Sequence, residues 1–339
     1  MKNTTGNYIS LGHGGGGRET ASLINNIIKR NLGNSILDKM EDGAVLTSKK
    51  EIVYSTDSFV VSPLFFPGGD IGKLSICGTV NDISVMGARP VYMSFSLIIE
   101  EGFSVRELEK IVESAAATAS EAGIDIVCGD TKVVEKGSCD GIYINTSGIG
   151  YLESPRRLSC ESVNAGDSIL ISGDIGRHGA CIMALRNNIG SSEEIASDCA
   201  LLTPLTYGLY GDPEIGLRMM RDTTRGGLAA ALNEIAEASC VTISIEEESV
   251  PVSKSVAAVS GLLGISPFTM ACEGRFTAAV KSDDANKALD KLRSLPGGEN
   301  AAIIGRAEEK KKVPAVIVTP LGARRVLEMP RGEMLPRIC

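Results

Sequence analysis

Four aspartates stand beside small hydroxyl, amide or glycine neighbours: Asp57 in STDSF, Asp82 in TVNDIS, Asp130 in GDTK and Asp222 in RDTTRGG. One such aspartate is ordinarily a turn or cap residue. Four, expected at strand ends and in loops, suit Mg²⁺, which takes a few carboxylates and lets substrate phosphates complete its oxygen shell. Thr224-Arg225-Gly226-Gly227 precedes a helix and offers phosphate a positive helix N-terminus, and Lys132 beside Asp130 adds a point charge. The chemistry these residues predict is polyphosphate handling.

Two glycine-rich stretches bear on the same chemistry. Gly12 to Gly17 formally satisfies a dinucleotide fingerprint, with Asp38 about twenty residues on, but the preceding strand could only be Tyr8 to Leu11. The run reads better as a flap whose N–H groups cover a ligand, or as a plain N-terminal loop. Gly68 to Leu74 has the wrong spacing for a phosphate-binding loop and no Ser or Thr after Lys73.

Composition narrows the class. The 339 residues carry 43% hydrophobic and 22% charged side chains, ordinary for a packed α/β protein, and the length suggests two domains. A net charge of -8 without a basic block argues against nucleic acid or an anionic membrane as main partner. The start MKNTTGNYIS lacks the basic and apolar regions of a signal peptide, and no apolar run approaches spanning length, so a cytoplasmic protein is expected. Nine cysteines, none in CxxC spacing, are expected to be mostly buried and reduced. With only His13 and His178, a transition-metal site is not expected.

The elements that would position these residues follow from periodicity and punctuation. Leu23, Ile24, Ile27 and Ile28 recur at helical spacing before Gly33. Residues 51–61 and 91–99 read as strands around a helix at 71–86, Ser104 and Glu107 form a capping box, and Gly123 closes that helix. Strands at 124–128 and 142–149 complete a first domain, residues 1–154. Pro and charge at 154–157 mark a linker. The second domain, 155–329, has a strand at 168–172, a helix after Gly227, a strand at 275–281, a helix at 283–295 and strands near Ala301 and Val313. Residues 330–339, PRGEMLPRIC, have two prolines, a glycine and three charges, and should form a mobile tail with little to bury.

The stretches STDSFVVSP, GTVNDISVMGARP, CGDTKVV, RDTTRGGLA and ACEGRF occur in the order found in the HypE family of hydrogenase maturation factors, and Pro336-Arg337-Ile338-Cys339 matches that family's PRIC ending. The chain thus resembles, over essentially its whole length, a family of the PurM-like ATP-binding superfamily, related to aminoimidazole ribonucleotide synthetase and selenophosphate synthetase. The internal motifs alone leave those relatives open; the final cysteine separates the HypE family from them. The resemblance implies a mixed α/β (α+β) two-domain PurM-like fold, with the N-terminal domain contributing to the β-barrel of a homodimer, plus a flexible C-terminal tail. Against the family pattern, Cys272 stands where a small residue such as Ser is expected.

The function implied is ATP-dependent dehydration of an S-carbamoyl group on Cys339 to a thiocyanate, supplying cyanide for the iron of a [NiFe] hydrogenase. The implied partners are the carbamoyltransferase HypF and the HypC-HypD complex. A thiol on about ten residues of extended chain reaches roughly 30 to 35 Å, as a carrier arm needs, and Arg337 is expected to increase its thiolate fraction. By resemblance, Asp57, Asp82, Asp130 and Asp222 bind Mg²⁺ and ATP phosphates, with Thr131, Arg225 and Gly226 in the nucleotide site. Gly14, Gly15, Gly16 and Gly17 form the flap, and Asn81 lies near the transferred phosphate. Glu273 and Lys132 would handle the amide protons, against a plain salt bridge of Glu273 to Arg275. His178 is expected to be a structural histidine starting a helix. The competing functions are a PurM-like synthetase acting on a diffusible substrate and a nucleotide-sensing scaffold without chemistry.

Overall fold

The computed structural model describes residues 8–10, 13, 22–35, 37, 51–154, 157–189, 195–330, 335 and 337–339. The first half contains β1 (Ile52–Phe59), α1 (Ile71–Val85), β2 (Ala88–Glu100), α2 (Val105–Ala122), β3 (Asp125–Val134) and β4 (Ile142–Leu152). Its four-stranded sheet has the order β1-β4-β2-β3, antiparallel except for the parallel β2–β3 pair. Ser104 caps α2 by accepting the Glu107 N–H, and Gly123 closes it in the left-handed conformation, as the sequence predicts. Leu108, Ile111, Val112 and Ala115 then give α2 a buried stripe.

Helix α1 has no such stripe, because every residue in it except Lys73 and Asp82 is buried. It lies against β1 and β4 on one side and against the second half of the chain on the other. Gly150 of β4 permits the close approach: a Cβ there would stand 2.3 Å from Ile83 Cγ2. A helix buried all round is therefore what joins the two halves, and Asp82 is its polar window.

The second half contains β5 (Ser168–Ile171), α3 (Arg177–Arg186), α4 (Thr203–Tyr210), β6 (Leu217–Asp222), α5 (Gly227–Ser239), β7 (Thr242–Glu246), α6 (Lys254–Leu263), β8 (Phe276–Val280), α7 (Ala285–Arg293), β9 (Ala302–Glu308), β10 (Ala315–Val318) and β11 (Arg324–Val326). They build a seven-stranded sheet of order β11-β10-β7-β9-β5-β8-β6, in which only β10 and β7 run parallel. Both faces are covered. Ile169 and Ile171 pack with Leu228, Leu232 and Ile235 of α5, while Leu170 packs with Leu205, Leu209 and Leu292 of α4 and α7.

Two sequence expectations change here. Asp57 and Asp130 lie inside strands and Asp82 lies inside a helix, so only Asp222 sits at a strand end. The tail was expected to have little to bury, yet Ile338 is 5% exposed and belongs to the first domain's core. No helix among the described residues is long and apolar enough to cross a membrane.

Candidate functional site

The cleft between the halves collects three of the four aspartates. Asp57 comes from β1, Asp82 from the window of α1 and Asp222 from the end of β6. Ser55 donates its hydroxyl to Asp82 at 2.6 Å, and Asp57 takes the Ser58 N–H at 3.0 Å. Burial raises all three carboxyls, and neighbouring carboxylates add to the shift of Asp82 and Asp222. Asp222 is pushed up to about 7 by burial and then by Asp82. Arg225 opposes this from 3.9 Å beyond Asp57, exposed to solvent.

Arg225 and Gly226 lead into α5. Gly226 (φ +76°) and Gly227 (φ +60°) both take the left-handed conformation, and a Cβ on Gly227 would meet the Met270 carbonyl at 2.5 Å. The turn places the first N–H groups of α5 beside a polar cavity of about 290 Å³ lined by Asp222, Thr224 and Arg225. A second cavity of about 370 Å³ shares Arg225 and Gly226 and is closed on its far side by Arg337, Ile338 and Cys339.

Glu273 lies on the loop before β8, 3% exposed, with Oε1 unpartnered. Burial and then the carboxylates of Asp198, Asp222 and Asp57 hold its carboxyl well above the usual range. The expected alternative, an ion pair with Arg275, is not formed: Arg275 pairs with Asp174 at 3.2 Å. Cys272 is accommodated in this loop, its buried sulfur accepting the Gly176 N–H at 3.1 Å.

Asn81, expected near the transferred phosphate, is bonded to backbone on the far side of the cleft's seam. Its amide donates to the Ala200 carbonyl at 2.9 Å and the Glu273 carbonyl at 3.4 Å, and its oxygen accepts the Leu202 N–H at 2.8 Å. All its hydrogen-bonding atoms are engaged with backbone of the second half, so it fixes the Glu273 loop to α1. The residue acts as a staple.

The last residues run antiparallel to residues 60–62. Val60 N–H donates to the Cys339 carbonyl at 3.1 Å and Ser62 N–H to the Arg337 carbonyl at 3.2 Å. Arg186 of α3 reaches the same Arg337 carbonyl at 2.6 Å, and His178 Nε2 lies 2.6 Å from the Ile338 carbonyl. Arg337 turns away from the thiol, bonding the Val60 carbonyl and pairing with Asp140. The expected activation by Arg337 is thus replaced by its opposite: burial and then Glu273 push the Cys339 thiol up. His178, read from sequence as merely structural, is part of this seat.

Asp130 and Lys132 lie elsewhere. Asp57 pairs with Thr146, Thr146 with Phe95 and Phe95 with Gly129, so Asp130 is three strand spacings away, roughly 14 Å. Within one chain it cannot share an ion with Asp57. It pairs instead with Lys132 at 2.8 Å on the exposed edge. Gly129 to Lys132, Thr131 included, line a cavity of about 240 Å³ walled by Ile24, Ile28, Phe95 and Leu97. The Gly14 to Gly17 flap and Asp38 lie outside the described residues.

No three His, Cys, Asp or Glu side chains among the described residues converge closely enough to hold a metal unaided. Asp57, Asp82 and Asp222 nonetheless fit a hard divalent cation whose shell is completed by phosphate. Their carboxylates already repel one another, and a positive charge between them would relieve that repulsion.

Comparisons with known proteins agree on one group. Residues 40–152 match the family described as AIR synthase related protein, N-terminal domain, and residues 164–318 match its C-terminal domain. The carbamoyl dehydratase HypE of Bradyrhizobium diazoefficiens is 44% identical over 332 residues, 98% of this chain and 96% of that protein. A crystal structure of HypE in complex with ATP superposes with a TM-score of 0.94 at 41% identity, covering 97% of this chain and 99% of the other. A structure of a HypE-HypF complex gives 0.80 at 45% identity, covering 91% and 100%.

Proposed function

Because the chain belongs to the HypE family of the PurM-like superfamily, we propose that it is the ATP-dependent carbamoyl dehydratase whose own Cys339 carries the reacting group in hydrogenase maturation. The observation that carries this reading is the seating of Cys339 in the cleft that holds Glu273, Arg225 and the aspartate cluster. A synthetase acting on a diffusible molecule would leave that seat without a purpose, and so would a scaffold without chemistry.

The thiol receives a carbamoyl group from HypF, giving S–C(=O)–NH₂. Hydroxide is a poor leaving group, so the carbonyl oxygen is phosphorylated by ATP, with ADP departing. Breaking the C–O bond then releases phosphate, and loss of both N–H protons leaves S–C≡N. Arg225, Gly226 and the first N–H groups of α5 hold phosphate oxygens in this scheme. Asp57, Asp82 and Asp222 would hold Mg²⁺, which would supply charge compensation for the phosphates.

Burial and the neighbouring carboxylates raise the Glu273 carboxyl, and by themselves they oppose its acting as a base. Part of its shift comes from the charges on Asp222 and Asp57, so compensating them returns the carboxyl toward the base that removes an N–H proton. Asn81 keeps Glu273 in place. The nucleotide base has an apolar candidate pocket in the cavity beside Gly129 to Lys132.

The exposed face of the four-stranded sheet carries Ile52, Tyr54 and Ile98, consistent with a homodimer closing that sheet into a barrel. A second copy is also the way in which Asp130 and Lys132 would reach a nucleotide in the neighbouring cleft. Transfer of cyanide to the HypC-HypD complex in the cytoplasm completes the proposal.

Intact-protein mass spectrometry after incubation with HypF, carbamoyl phosphate and Mg-ATP tests it, comparing wild type with Cys339→Ala. A carbamoyl adduct that becomes a cyano adduct only with ATP, and only on wild type, is expected. Equal modification of Cys339→Ala would eliminate the carrier-arm mechanism.

A further inference from the structure

The tail seat contains one side chain whose chemistry is fixed by its neighbours. His178 is completely buried in α3, with the Phe66 ring edge-on against it at 5.3 Å. Its Nε2 faces the Ile338 carbonyl at 2.6 Å, and a carbonyl only accepts, so Nε2 carries the hydrogen. Its Nδ1 lies 2.8 Å from Ser197 Oγ. That hydroxyl already accepts the Cys199 N–H at 3.0 Å, so its hydrogen is directed at Nδ1. Burial pulls the imidazole down to about 4, which keeps it neutral and limited to one tautomer at physiological pH. Ser197 is itself fixed, its N–H donating to the Pro67 carbonyl at 2.8 Å.

We propose that His178 is a positioning residue for the carrier thiol: Ser197 selects its Nε2–H tautomer, and that N–H holds the Ile338 carbonyl and thereby registers the Cys339 sulfur against Glu273. The inference rests on the carrier reading of Cys339 and adds the group that decides where the carrier stops. Arg186 and the backbone of Val60 and Ser62 serve the neighbouring carbonyls, and among the described residues His178 alone holds the peptide between them. The contact is to backbone, so it persists whatever group the sulfur bears.

The test compares wild type with His178→Leu, His178→Gln and Ser197→Ala in the full-length chain. Glutamine can place an amide donor near the position of Nε2, leucine cannot, and Ser197→Ala leaves the ring while freeing its tautomer. Iodoacetamide labelling of Cys339, followed by Glu-C digestion and peptide mass spectrometry, reads seating without any catalysis, with exposed Cys240 as internal reference. Loss of one hydrogen bond should raise Cys339 labelling about 5- to 10-fold in His178→Leu, and Ser197→Ala should raise it about 2- to 3-fold. His178→Gln should return to within about 2-fold of wild type, with Cys240 unchanged throughout.

On chains already carbamoylated by HypF, conversion to the cyano adduct should slow in His178→Leu and recover in His178→Gln, while the carbamoylation step is not slowed. Unchanged Cys339 labelling in a folded His178→Leu, or no rescue by glutamine, overturns the proposal. If the leucine variant does not fold, wild-type labelling in Ser197→Ala does the same. A wild-type chain that never forms a cyano adduct refutes the reaction assigned to Cys339, while the labelling ratios still decide the seat.

Discussion

Replacing Asp222 with asparagine should make the unliganded protein more stable, and increasingly so as the pH rises. The Asp222 carboxyl is pushed up to about 7 in the folded chain against an ordinary aspartate value of 3.8. Below the ordinary value the group is neutral in both states and contributes nothing. Between the two values the folded chain retains a proton that the unfolded chain has released, so stability falls as pH rises. Above about 7 a buried carboxylate is carried at full cost. Integrating between pH values of about 5.5 and 8.5 gives a further loss of about 2 kcal/mol in wild type that Asp222→Asn escapes. For a chain of this length that is about 3 °C in Tm. Scanning calorimetry of both proteins at the two pH values, without nucleotide or cation, reads the difference directly. Mg-ATP should then raise the midpoint of wild type far more than that of the variant. Parallel pH profiles for the two proteins would refute the electrostatic account of the cluster.

Asn81→Ala removes the bonds to Ala200, Leu202 and Glu273 and leaves buried backbone groups unpaired, so chemical denaturation should show a loss of about 1 to 3 kcal/mol. Arg275→Met removes one of the two cations on the buried Asp174 carboxylate, leaving Arg177 at 2.5 Å, and should cost about 1 to 3 kcal/mol in the same assay.

Regular elements of the first half were legible because each carries its own punctuation. Ser104, Glu107 and Gly123 bound α2 by local hydrogen bonds and a left-handed turn, and the β-branched runs of β1 and β4 announce strands. Helices α4 and α6 and strands β6, β7 and β11 were missed in the second half. Strand β7 is buried on both faces, which leaves no alternation to detect, and α6 buries only Val256 and Val259, against Ala180 and Ala184 of α3. The aspartates were found as residue types, but their grouping was not: register alone separates Asp130 from Asp57, and pairing partners cannot be read from local spacing. His178 was passed over because its partner is 160 positions away and is a backbone carbonyl, which no side-chain pattern records.

The seated tail also sets the terms on which another protein can reach Cys339. Five hydrogen bonds at about 1 kcal/mol each and burial of Ile338 at about 2 kcal/mol are offset by ordering three residues, leaving a balance on the order of 2 to 3 kcal/mol. At equilibrium the arm is then outside in roughly one molecule in thirty to one in a hundred and fifty. A partner that captures only the extended arm binds with its intrinsic affinity reduced by that fraction. Docking against the body of the protein would restore the lost affinity, so transfer favours a partner that grips both surface and arm over one that recognises the PRIC peptide alone.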